Sequence, residues 1–140
     1  MLNYTYRKAG VDRGLREKAK RVLKGFDLTF RYSSPGKIIK TPFNNLYPVG
    51  RGIYQVKTAD GVGTKVLLAE LANSHKTIGI DAVAMVVNDC IRCGAAPLAL
   101  TNIIDAKKTT PELLREIKKG LMRGAKEAGC PIVGGETADV

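Results

Sequence analysis

Apolar residues along this chain switch between two spacings, and the switches predict its elements. Between Asp12 and Gly25, Leu15, Ala19, Val22 and Leu23 recur at helical spacing, and Arg16, Lys18, Lys20, Arg21 and Lys24 cover the remainder. Asp12 suits the cap of that helix and Gly25 its stop. Ile53-Tyr54-Gln55-Val56-Lys57-Thr58 is aromatic and β-branched and predicts a strand that runs into a turn at Asp60. Thr77 to Cys93 is helical in length and apolar on most sides. Gly94 is placed to end it and Pro97 to block its continuation, so a buried helix is expected. Pro97 to Asp105 reads as a strand buried on both faces. Thr110-Pro111-Glu112 starts a helix with Leu113, Ile117, Leu121, Gly124 and Ala128 on its inner face and Gly129 at its end. Gly120 and Gly124 lower its helix propensity and mark places where something packs close. Pro131-Ile132-Val133 is a short strand leading into a glycine turn, Gly134 to Asp139. The alternation predicts a two-layer α/β sandwich, a mixed sheet covered by helices on one face.

Residues 33 to 52 break this rhythm with Pro35, Pro42, Pro48, Gly36 and Gly50. A long stretch without periodicity beside a ligand-binding turn is either a lid or an inert loop, and the residues favour neither.

The chemistry concentrates at Asp60-Gly-Val-Gly-Thr-Lys65. Gly61 and Gly63 allow positive φ and close approach, and successive amides of such a turn can face one anion. Lys65 adds a mobile positive charge, Thr64 a hydroxyl, and Asp60 a carboxylate suited to a hard cation. The stretch is not a P-loop, because the four-residue gap before Gly-Lys-Ser/Thr is missing. Nor is it a dinucleotide fingerprint, because Val66 replaces the third glycine. A plain hairpin or strand-to-helix turn with incidental charges satisfies the same local pattern.

Within the apolar helix, Asp81, Met85, Asn88, Asp89 and Arg92 share one face. Carboxylates in an apolar setting must meet a cation, donors or water. Arg92 or a capping amide can satisfy Asp89, and the helix dipole favours Asp81 in the first turn. With Asp60, the same acids are the parts of a Mg²⁺ site.

Composition narrows the partners. A chain of 140 residues, 44% hydrophobic and 26% charged, suits one globular domain with its own core. It has no apolar run of membrane-spanning length and no signal-peptide core at its start, so a cytoplasmic protein is expected. Three cysteines, Cys90, Cys93 and Cys130, cannot all pair within one chain. With His75 the only histidine, packed free thiols are expected over zinc or redox chemistry. The net charge of +10 favours anionic partners. There is no tryptophan, and basic residues do not alternate with aromatics, so small phosphates are expected over nucleic acid.

In order and spacing, these segments resemble the N-terminal domain of aminoimidazole ribonucleotide synthetase, also called phosphoribosylformylglycinamidine cyclo-ligase. The matching pieces are Tyr6 to Asp12, Asp60 to Lys65, His75 to Asp81, Ala84 to Asp89, Gly94 to Pro97 and Gly134-Gly-Glu-Thr137. The resemblance is thin between residues 13 and 52. It implies an ATP-dependent ring closure in purine biosynthesis. ATP phosphorylates the formyl amide oxygen of formylglycinamidine ribonucleotide, an amidine nitrogen attacks the activated carbon, and phosphate leaves. It further implies Asp60 and Asp89 as Mg²⁺ ligands, completed by Glu136, and Lys65 as the group neutralising ATP phosphates, with Lys65 and Asp89 catalytic. Gly61, Gly63, Thr64, Gly134, Gly135 and Thr137 would contact the nucleotide or substrate, and Asp81 and Asn88 would support them. The family plan also implies a homodimer whose sheets pair into a barrel, and a second domain, absent from this sequence, that walls the nucleotide cleft. A fragment without that domain is expected to be inactive.

Two departures bear on substrate positioning: Ala96 stands where the family usually has an acid, and Asn102 where it has an aspartate. Related ATP-dependent enzymes share the acid-and-glycine plan, among them formylglycinamidine ribonucleotide synthetase, selenophosphate synthetase, the hydrogenase-maturation dehydratase and thiamine monophosphate kinase. A non-catalytic dimerisation or nucleotide-binding module is the alternative of another class.

Overall fold

The computed structural model describes residues 12–140. The aromatic lead and all but the last residue of the Tyr6 to Asp12 match lie outside the described residues. Helix α1 (Arg13–Val22) is capped as expected, the Asp12 carboxylate accepting from the Leu15 amide at 3.0 Å. Its apolar stripe covers nothing among the described residues: Leu15 is 66% and Val22 83% exposed. Gly25, at φ +102°, turns the chain into a 3-10 helix, Phe26–Tyr32.

The stretch from 33 to 52 is more ordered than its composition suggests. Ile39 and Leu46 exchange both backbone hydrogen bonds, at 3.1 and 2.9 Å, closing a small hairpin. Strands β1 (Tyr47–Gly50) and β2 (Ile53–Gln55) then pair antiparallel. The two residues joining them, Arg51 and Gly52, both have positive φ, as the twist of a two-residue hairpin requires.

Strand β2 ends at Gln55, short of the predicted Thr58. In place of a ladder partner, the Thr58 hydroxyl donates to the Val86 carbonyl at 3.1 Å, tying this segment to a helix. Asp60 therefore sits in an irregular link rather than at a strand end. The link enters α2 (Lys65–Leu71), followed by α3 (Ile78–Ile91), β3 (Leu100–Ala106), α4 (Pro111–Ala128) and β4 (Ile132–Asp139). The α4 boundaries match the sequence signals: Thr110 accepts from the Leu113 amide at 3.3 Å, Pro111 opens the first turn, and Gly129 closes the helix at φ +62°.

The protein is a mixed α/β fold, but the single mixed sheet is not formed. Strands β1 and β2 make one two-stranded sheet, and β3 and β4 make a separate parallel pair. The largest departure is β4, because Gly134 to Asp139 is not a turn. These residues lie in the ladder, Thr101 opposite Gly134, Ile103 opposite Glu136 and Ile104 opposite Thr137. The parallel ladder satisfies their backbone groups, and a glycine is needed at 135. A Cβ there would come within 2.4 Å of the Asn102 carbonyl oxygen and 2.7 Å of its side-chain oxygen.

Helices α3 and α4 pack on each other and cover one face of this pair. Val83, Val87 and Leu121 form the core, with Ile117, Leu100 and Ile132 against it. Each fully buried aliphatic side chain of this kind contributes roughly 1.5–3 kcal/mol. The helices approach closely along Gly79, Gly120 and Gly124, which explains both interior glycines of α4. The opposite face of the pair is open, with Ile103 73% and Val133 67% exposed.

Asp139, at the end of β4, accepts from the Thr109 hydroxyl at 2.7 Å and the Thr109 amide at 2.8 Å. These bonds, the hydroxyl's first, hold its carboxyl below the ordinary carboxylate value. A carboxyl depressed in the fold adds stability above its unfolded pKa and loses it as pH falls through the folded value. Thermal unfolding between pH 7 and pH 3 is expected to show a shallower acid decline in Asp139→Asn than in the parent. The effect is small because the group is exposed. Parallel curves for the two proteins would discard the assignment.

Candidate functional site

The sequence marks Asp60 to Lys65 as a ligand turn, and the structure sets its first three residues beside β3. Asp60 and Gly61 line a small cavity of about 120 Å³ with Val83, Thr101 and Asn102. Val62 and Val66 line a larger one of about 920 Å³, walled by Ile78, Ile117 and the β3 residues Asn102 to Ala106. Gly63 takes φ +72°, the left-handed conformation the turn reading needs. The Asp60 carboxylate accepts from its neighbour's amide, Gly61, at 2.8 Å, which holds it against the turn. Thr64 precedes α2 with no capping bond from its hydroxyl.

Lys65 reaches from the first residue of α2 to Asp81 in the first turn of α3, and the two side chains form an ion pair. Neither is deeply buried, at 47% and 32% side-chain exposure, so solvent screens the pair. The charge is thus aimed without being neutralised in a dry interior.

The remaining candidates are dispersed. Asp89 lies in the last turn of α3, half-buried, with the Arg92 guanidinium at 3.8 Å. Asn88 beside it is exposed. Glu136 and Thr137 stand on β4, where the Glu136 carboxylate accepts from the Thr137 amide at 2.9 Å. Neither Asp89 nor Glu136 lines either cavity. Among the described residues no three His, Cys, Asp or Glu side chains gather as a metal site, so Asp60, Asp89 and Glu136 do not form the expected triad. β4 is an extended strand and not the expected glycine turn, which leaves Glu136 at a fixed register position opposite Ile103. What the chain offers a cation is separate carboxylates. That suits Mg²⁺ held by one or two carboxylates together with phosphate oxygens and water, and does not suit an all-protein cage.

The three thiols are free. Burial pushes the Cys90 thiol above its ordinary value, with Cys93 and Cys130 adding to the shift, so its thiolate is disfavoured.

Sequence reasoning overlooked the polar groups that line the larger cavity. His75 donates its backbone amide to Glu116 at 2.7 Å, and its ring Nε2 lies 2.9 Å from Glu70. Lys107 and Lys108 line the same space. A lone histidine between helices gives no periodic signal, and only the folded arrangement shows it at a cavity wall.

Comparison with known proteins decides the family. Residues 44–140 match the family model "AIR synthase related protein, N-terminal domain". The chain belongs to the AIR synthase related family. Among members of that family, the phosphoribosylformylglycinamidine cyclo-ligase of Pyrococcus horikoshii is 44% identical over 140 residues, covering 96% of this chain and 41% of that protein. The same-named protein of Methanocaldococcus jannaschii is 43% identical over 138 residues, covering 96% and 38% respectively. The chain thus spans about two fifths of the length of these AIR synthase relatives. A solved structure described as AaThiL complexed with AMPPCP and TMP superposes with a TM-score of 0.51 at 14% identity, over 99% of this chain and 40% of that one. This likeness concerns the fold. Among the described residues no helix is long and apolar enough to cross a membrane.

Proposed function

We propose that this chain is the N-terminal, nucleotide-binding part of an enzyme that closes the imidazole ring of aminoimidazole ribonucleotide at the expense of ATP. The observation that carries the reading is the position of the Asp60 to Lys65 turn. Val62 of the turn lines the apolar cavity of about 920 Å³, Asp60 and Gly61 line the smaller one adjoining it, and Lys65 pairs with Asp81. An apolar cleft lined by a few polar groups suits a nucleoside, with its phosphates directed to the glycine turn. Cyclo-ligase relatives at 44% identity favour ring closure over the other ATP-dependent reactions built on this plan.

In this reading Lys65 steadies phosphate charge, the amides of Gly63 and Thr64 serve the same oxygens, and Gly61, whose amide holds Asp60, lets the phosphates approach closely. Asp60 and Asp89 would share a cation with those phosphates, and the Gly134-Gly135-Glu136-Thr137 segment of β4 would contact the substrate. Asp81 and Asn88 hold these groups in place. Bound Mg²⁺ would supply charge neutralisation between the phosphate oxygens. The formyl amide oxygen takes the phosphoryl group, an amidine nitrogen closes the ring on the activated carbon, and phosphate departs. Such chemistry is mostly positioning and charge stabilisation, which suits the parts present. The second domain of the longer enzyme would complete the cleft, and a second copy would cover the open face that carries Ile103 and Val133, the two sheets pairing into a barrel.

Titrating the chain with Mg-ATP while following amide hydrogen exchange tests the nucleotide site. Slowed exchange across residues 60–66 is expected. Unchanged exchange there at millimolar nucleotide would reject the reading.

A further inference from the structure

Helix α2 carries the glycine turn with it. The Val66 amide donates to the Gly63 carbonyl at 3.3 Å and the Leu67 amide to the Thr64 carbonyl at 3.1 Å, so the end of the turn and the start of the helix are one hydrogen-bonded piece. Packing holds that piece weakly: of α2 only Ala69 is buried, and Leu67, Leu68 and Leu71 are 63%, 65% and 85% exposed. Seven residues are also too few to keep a helix in place by themselves. The polar contacts at its two ends therefore decide where α2 stands.

At the front, Lys65 pairs with Asp81 of α3. At the back, the His75 ring Nε2 lies 2.9 Å from the Glu70 carboxylate, and since a carboxylate accepts, Nε2 carries the donated proton. His75 is itself anchored. Its backbone amide donates to the Glu116 carboxylate of α4 at 2.7 Å, and its side chain, 15% exposed, lines the larger cavity. Ring Nδ1 stands 3.9 Å from the same Glu116 carboxylate, beyond hydrogen-bond reach. Helix α4 is a firm base, because it is capped at both ends and packed closely along α3. The path from α4 to α2 runs through Glu116, His75 and Glu70.

We infer that His75 is a positioning residue: it ties α2 to α4 through Glu70 and Glu116 and so sets where the glycine turn and Lys65 stand. The inference rests on the nucleotide reading for its purpose, whereas the tie itself is a property of this chain alone. The Glu70 end of the tie is exposed, so losing the ring contact should speed local opening of α2 by about threefold to tenfold. Because packing holds α2 so weakly, loosening it lowers the share of molecules with the turn in place, and apparent nucleotide affinity falls with that share.

The test follows amide exchange in the 140-residue chain and its His75→Ala, His75→Gln, Glu70→Ala and Glu116→Ala variants, with and without Mg-ATP. Residues 66–72 report α2, and Val83, Val87 and Leu121 report the seam between α3 and α4. The three alanine variants are expected to speed exchange in α2 and to leave the seam at the parent rate. Combining His75→Ala with Glu70→Ala should be no faster than either alone, the sign of a shared bond. His75→Gln, which keeps a donor near the place of Nε2, should restore most of the protection. His75→Ala should also raise the Mg-ATP midpoint for protection of residues 60–66 by about twofold or more, and His75→Gln should bring it back. Unchanged α2 exchange, equal acceleration at the seam, or additive effects in the double variant would overturn the inference. Faster α2 exchange with an unchanged Mg-ATP midpoint would overturn it too, leaving His75 a structural prop. Failure of the nucleotide reading shows separately, as absent protection of residues 60–66 in the parent, and the α2 exchange rates then decide the tie without nucleotide.

Discussion

Lys65→Ala is expected to lower kcat/KM of the proposed full-length cyclo-ligase by about 10²–10³-fold, the usual effect of removing one preorganised charge from a developing transition state. Lys65 directly follows the glycine turn in sequence, and its ammonium pairs with Asp81. The loss should fall mainly on kcat, because phosphoryl transfer gains most where charge develops. Stability should hardly change, since the Lys65–Asp81 pair is substantially exposed and screened. Asp89→Asn tests the carboxylate side of the same proposal. Steady-state turnover and a thermal unfolding midpoint on each variant make the check. Near-normal turnover in both would defeat the assignment, and a lowered midpoint in Lys65→Ala would recast the lysine as structural.

The second large effect concerns the helix seam. Gly79→Ala places a methyl group 2.2 Å from the Leu121 amide nitrogen and 2.4 Å from the Ile117 carbonyl oxygen. Both obstacles are backbone, so no rotamer change can relieve them, and α3 must back away from α4. Overpacking commonly costs about 1–3 kcal/mol, and a backbone collision at the core seam should exceed 3 kcal/mol, a large share of a small domain's stability. Gly120→Ala meets Gly79 and Lys76 backbone atoms at 2.8 Å and should be severe as well. Gly134→Ala supplies the contrast, because the nearest atom to its new methyl is the Thr101 methyl at 4.0 Å. Urea unfolding of the three variants is expected to show a collapsed or absent transition for the first two and a near-parent midpoint for the third. A parent-like midpoint for Gly79→Ala would show that the helices tolerate wider spacing.

Local signals predicted the helices well. Asp12, Thr110, Pro111 and Gly129 each act within a turn of themselves, so capping residues and a terminating glycine place boundaries that tertiary packing does not shift. The inner face of α4 was equally visible, as was the close approach at Gly120 and Gly124. Strands were less legible because their pairing is decided by distant residues. Gly-Gly-Glu-Thr reads as a turn by composition, yet pairing with β3 draws it into an extended ladder, overriding glycine's preference. The end of β2 was misjudged for a related reason, since Thr58 finds its partner on α3.

The candidate site divides the same way. The Asp60 to Lys65 turn carries its chemistry within six consecutive residues, and Gly63 adopts the conformation its identity suggests. Convergence of Asp60, Asp89 and Glu136 is a claim about three separate elements, and spacing along the chain holds no information on it. The His75 tie was hidden as well. Glu70 and His75 are near neighbours along the chain, but nothing in the sequence brings Glu116 to the same place.

Because Ile103 and Glu136 stand side by side on parallel rungs, they look out through the uncovered side of the strand pair, while Lys65 and Asp81 belong to the layer behind it. A carboxylate fixed in a ladder cannot swing round to join them. A single molecule touching both ends must therefore wrap the rim of the sheet; otherwise two visitors arrive from opposite directions and communicate only through the strands between them.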